Sequence, residues 1–152
     1  MMGGGQQQLQ QLSQELQALD EEIEALEAEI ADYQEEQSDI DDAIEAIETL
    51  DTGATVQVPL GGGAYVRAEV QDIDEIIVSL GGNYSAEQSE EDAIDVLGRK
   101  RDALDDRIEE TQEEVDELES ESQELEQQAQ QMQQQMQQQQ MQQMQQAQDD
   151  EE

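Results

Sequence analysis

The chain has 152 residues, 42 of them acidic and 5 basic, for a formal net charge of −37; it has three Tyr and no Phe, Trp, His or Cys. So few aromatic side chains argue against a large globular core and for an elongated or assembled form. A field this negative excludes the phosphate contacts of nucleic acid and of anionic membranes, and the lack of Cys excludes disulfides and thiolate metal sites.

The first residues, MMGGGQQQLQ, lack the basic start and apolar run of a secretory signal. No stretch approaches the ~18 apolar residues of a membrane span. The expectation is a soluble, cytoplasmic chain. Its acidity has two possible origins: adaptation to a cytoplasm with molar salt, or a solvated face that attracts a basic partner. The acid is spread along both flanking arms, which favours salt adaptation.

Residues 1–51 predict a coiled-coil helix. Leu9, Leu12, Leu16, Leu19, Ile23, Leu26, Ile30, Tyr33, Gln37, Ile40, Ile44 and Ile47 follow one another at alternating steps of three and four. A heptad seam held this long, with one polar intruder at Gln37, marks a coiled coil.

Residues 52–88 abandon the heptad. Val56, Val58 and Leu60, then Val66, Ala68 and Val70, alternate as strands do about Gly61-Gly62-Gly63. Ile76, Val78 and Leu80 do the same before Gly81-Gly82-Asn83. Glycine admits the positive φ angles of tight turns, so the segment predicts two β-hairpins, with Pro59 at an edge or bulge. A two-stranded hairpin is marginal alone. These hairpins therefore predict an oligomerisation module, and their nine apolar residues are its candidate contacts.

Residues 89–136 predict the returning helix. Ser89 is placed to cap it, with Glu90, Glu91 and Asp92 in the favoured acidic first turn. The seam resumes through Ile94, Leu97, Arg101, Leu104, Ile108, Thr111, Val115, Leu118, Ser122, Leu125, Ala129, Met132 and Met136. The arms are of similar length, so they can pair as an antiparallel hairpin, with Gln37 and Arg101 at comparable distances from the middle. Residues 137–152 are expected to be a flexible, Gln/Met-rich acidic tail, in which Met141 and Met144 leave the heptad register. The tail is open to two interpretations: a fraying end, or a soft apolar surface for varied partners. The fold class is thus α+β: a long antiparallel coiled-coil hairpin with two central β-hairpins.

Nothing predicts catalysis. GGGAYVRA lacks the spacing and lysine of a phosphate loop, no calcium-loop pattern occurs, and without His or Cys few groups act near neutral pH. No catalytic residue, cofactor or metal is expected.

The stretches VPLGGGAYVRAEV (58–70), IIVSLGGNYSAEQS (76–89) and EEDAIDVLGRKRDALDD (90–106), between two coiled-coil arms, resemble the archaeal prefoldin family in its two-hairpin alpha type. The resemblance implies an ATP-independent chaperone in which two alpha and four beta subunits join their hairpins into an inter-subunit β-barrel. It implies arms that hold unfolded client proteins at their tips and pass them to a group II chaperonin. Leu9, Leu12, Leu16, Leu125, Met132 and Met136 are the expected tip residues. The alternatives are a structural coiled-coil scaffold and an acidic binder of basic proteins.

Overall fold

The computed structural model describes residues 3–149; the first two residues of the N-terminal arm and the last three of the tail lie outside them. Helix α1 spans Gly3–Thr49, strands β1 (Thr55–Gly61), β2 (Ala64–Glu69), β3 (Ile76–Gly81) and β4 (Tyr84–Gln88) follow, and helix α2 spans Glu90–Asp149. The helix continues through the Gln-rich stretch, because Gln and Met are good helix formers. Among the described residues no helix is long and apolar enough to cross a membrane.

The chain divides into two units. One combines α1 up to Ile30 with α2 from Glu109, and the other is Ala31–Ile108. In the first unit the half-buried side chains fall at the heptad positions, with Ile30, Thr111 and Val115 buried. Gly5 lies against Met136, whose Sδ would sit 3.3 Å from an added Cβ. Leu12 shares a groove with Gln128 and Met132, and Ile23 shares another with Glu119 and Ser122. The two helices therefore run antiparallel in this unit.

In the second unit the seam contains a polar layer. Gln37 Nε2 donates to the Arg101 carbonyl at 3.1 Å and to Asp105 Oδ1 at 2.6 Å. Arg101 Nε lies 2.7 Å from Asp41 Oδ1, close enough for an ion pair although Nε makes no well-angled hydrogen bond. Both side chains are about half exposed, so water screens the pair and its contribution is small. Its value is in register, since an offset of one turn would separate all four residues.

Beyond the polar layer, Ile47, Val78 and Ala93 form a buried cluster flanked by Ile76, Ile94, Val96 and Leu97. Ser89 Oγ accepts from the Asp92 amide at 3.2 Å and caps α2, while Glu90, Glu91 and Asp92 occupy its first turn.

The hairpins form separate two-stranded antiparallel sheets built to one plan. Gly62 and Gly63 in the first turn, and Gly82 and Asn83 in the second, all have positive φ, as type I′ turns require. A register shift precedes each turn, between Pro59 and Gly61 and between Ser79 and Gly81. The predicted bulge near Pro59 is thus present, and its counterpart recurs in the second hairpin.

The charge pattern generates a prediction about salt. Like charges four residues apart, as in Asp20 with Glu24, Asp32 with Glu36 and Glu113 with Glu117, oppose a helix by a few tenths of a kcal/mol each. Summed over both helices this reaches several kcal/mol, against a typical ~5–15 kcal/mol of total stability. The Debye length falls from ~10 Å at 0.1 M to ~3 Å at 1 M salt. Circular dichroism melts should show Tm higher by about 10 °C at roughly 2 M KCl than at 0.1 M. An equal or lower Tm would assign the acidity another cause.

Candidate interaction surfaces

A strand places alternate side chains on opposite faces. In the first hairpin, Val56 pairs with Ala68 and Val58 with Val66, which sets one apolar face. Gln57 with Arg67 and Thr55 with Glu69 occupy the other. The hairpin is tethered at its base: Val70 N donates to Ala54 O at 2.9 Å, Gly53 N to Val70 O at 2.7 Å, and Ile73 N to Thr52 Oγ1 at 3.1 Å. None of its residues belongs to the buried cluster. Val58, Leu60 and Val66 are exposed, while Val56, Ala68 and Val70 are half-buried.

The second hairpin is positioned differently. Val78 is buried at 5% exposure, and Ile76 packs beside it against Ile47 and Ala93. These two predicted contact residues hold the hairpin to its own chain. Since Val78 faces inward, its neighbour Ile77 faces outward and is 69% exposed. Leu80 is also exposed. Alternation in sequence shows that two faces exist but not which one meets the helices, so Ile77 was not among the predicted contacts. Tyr65 and Tyr84, both exposed, were missed as well.

The predicted tip residues lie in the first unit. Leu9, Leu12, Leu16, Leu125, Met132 and Met136 are each half-buried at the seam. Leu12 and Met132 line a shallow groove of about 210 Å³ with Gln8, Gln11, Glu15 and Gln128. Met141 and Met144, off the seam, are exposed.

Among the described residues, the exposed large apolar side chains therefore fall in two places: seven on the hairpins and two near the end of α2. Elsewhere the helices expose polar and charged groups. Among the described residues no three His, Cys, Asp or Glu side chains converge as metal ligands. The surfaces are suited to contact with apolar protein segments.

Comparison with known proteins agrees with this geometry. The family described as "Prefoldin subunit" matches residues 19–142. A protein of Halorubrum lacusprofundi named "Prefoldin subunit alpha" is 96% identical over 113 residues, covering 74% of each chain. The protein of that name from Halobacterium salinarum is 68% identical over 108 residues, covering 71% of this chain and 70% of its own. A filamentous PFD from Methanocaldococcus jannaschii, solved by cryo-electron microscopy, superposes with a TM-score of 0.51 at 27% identity, covering 77% of this chain and 93% of that one.

The two hairpin environments predict opposite responses to one substitution. Val78→Asp places a carboxylate in the buried cluster and should cost about 3 kcal/mol or more. Val58→Asp adds a charge to an exposed face and should change stability by no more than about 0.5 kcal/mol. Circular dichroism melts of the two variants check this, and equal losses would contradict the assignment of faces.

Proposed function

The chain belongs to the prefoldin family, and we propose that it is an alpha-type subunit that assembles through its hairpins and holds unfolded proteins at the far end of its helical arms. It is a chaperone subunit by family. In this proposal two copies join four one-hairpin beta subunits, the strands close an inter-subunit β-barrel, and clients pass to a group II chaperonin. The complex works in the cytoplasm, without ATP and without catalysing a reaction.

The observation that carries the assembly role is the apolar surface of the hairpins. Val58, Leu60, Tyr65, Val66, Ile77, Leu80 and Tyr84 are exposed on two-stranded sheets whose outer edges have no strand partner among the described residues. Free edges and exposed apolar faces favour pairing with other chains. Burial of that surface is worth roughly 25 cal/mol per Å². The client role is supported by Met141 and Met144 and by the half-buried seam residues nearby, since Met adapts to partners of varied shape.

Two experiments test the two roles separately. Val58→Asp combined with Leu60→Asp should abolish the hexamer formed with a one-hairpin partner while leaving helical content unchanged. Sedimentation and circular dichroism read these outcomes, and an intact hexamer would remove the hairpins from the joint. Deleting residues 1–12 together with 127–152 should leave the hexamer intact and weaken its suppression of client aggregation. Light scattering of a denatured client measures that suppression; unchanged protection at equal hexamer concentration would move client binding elsewhere and favour a scaffold. Protection that disappears in salt and acts on basic clients alone would favour the acidic binder.

A further inference from the structure

Four of the five basic residues lie at Arg99, Lys100, Arg101 and Arg107, near the start of α2. Arg101 is turned to the seam and paired with Asp41. The other three make no ion pair among the described residues, although the chain has 42 carboxylate side chains. At 3.6 residues per turn, residues 96, 99, 100, 103 and 107 share a face about 100° wide. That face contains Val96, Arg99, Lys100, Ala103 and Arg107, with no carboxylate. Arg99 and Arg107 are exposed and Lys100 is half-buried. Asp92 precedes the face, Glu110 follows it, and Asp95, Asp102 and Asp106 border it on the Arg99 side, so it is a narrow cationic strip on an acidic helix.

The position of the strip indicates what covers it. Val96 packs against the cluster in which the second hairpin meets Ile47 and Ala93. The strip thus continues from the footprint of that hairpin on α2, and a subunit that adds strands to the hairpin is delivered beside it. Subunits as acidic as this one repel each other wherever their arms approach. Three cations beside the hairpin's footprint would reverse that repulsion locally and favour one docking register.

We propose that Arg99, Lys100 and Arg107 form a docking surface for the carboxylate-rich helices of a second copy of this chain, an inference that rests on the assembly proposed above. Lys100 is the one lysine in the chain, which makes a direct test possible. A water-soluble carbodiimide activates a carboxylate as an O-acylisourea. The Lys100 Nζ then attacks the acyl carbon, an amide forms and the urea departs, so the amine and acid join with net loss of water to the reagent. The experiment treats the assembled chain and its one-hairpin partner, using isotopically labelled and unlabelled chain to separate links between copies from links within one. Peptide mass spectrometry should find Lys100 joined to Asp or Glu of a second copy of this chain. The triple variant Arg99→Gln, Lys100→Gln, Arg107→Gln should require a roughly tenfold higher concentration to assemble. Its helical content should be unchanged, since Gln has comparable helix propensity. Links confined to the same chain or to the one-hairpin partner, or a triple variant that assembles like the wild type, overturn the docking surface. A wild-type chain that forms no oligomer overturns the assembly reading, and the docking surface with it.

Discussion

The structure depends on a narrow apolar seam in a chain that is otherwise almost wholly solvated. Before Arg67 there is no basic side chain, so α1 has no cation of its own, and apart from the Arg101–Asp41 pair its acidic residues are offset by what the seam buries. Seam positions are accordingly half-buried or buried, and the residues between them are nearly all exposed. The fully buried set is small, with Val115 and Ala93 its tightest members. A seam this thin supplies attraction but little specificity, because one heptad of Leu and Ile resembles the next. Gln37, Asp41, Arg101 and Asp105 supply the missing specificity through directional polar contacts.

The same economy explains why two hairpins of one design have different surroundings. Each has a turn with two positive-φ residues, a register shift just before it and a leucine at the shift, Leu60 or Leu80. A two-stranded sheet lacks the area to stabilise itself. The second hairpin obtains a core by placing Val78 against Ile47 and Ala93. The first is tethered only at its base, through Ala54, Val70, Thr52 and Ile73. Its valines remain available because the helix ends already bury Val78.

What could be read from the sequence followed from periodicity. The seam and the two hairpins were visible because steps of three and four, or of two, leave a direct mark on residue order. The glycine turns were visible because positive φ demands particular residues. Gln37 and Arg101 stood out as polar seam positions, but their contact depends on the register of two distant segments, which residue order alone does not fix. The inward orientation of Val78 was hidden for a related reason: Ile76, Ile77 and Val78 are all β-branched, and only the position of Ala93 decides which of them is covered. Leu9, Leu12, Leu16, Leu125, Met132 and Met136 are half-buried, as their heptad spacing implies, whereas the exposed Met141 and Met144 appear in sequence as an interruption of the pattern.

Charge also separates the parts of the molecule. The four strands contain Arg67, Glu69 and Glu87 as their only charged residues, one positive and two negative, for a net −1 within a chain of −37. Nearly all the acidity therefore lies on the helices and connecting segments, away from the strand faces. Two copies approaching helix to helix meet repulsion, whereas an approach through the strands meets little. Apolar exposure follows the same division: among the described residues, seven of the nine exposed large apolar side chains are on the hairpins. In the assembly proposed above, the acidity of the helices would disfavour contact between them, and the apolar, almost neutral strands would supply the attraction. Salt shortens the range of the repulsion without removing apolar attraction. The discrimination should therefore be steepest at low salt, where the like-charge repulsion within each helix is least screened as well.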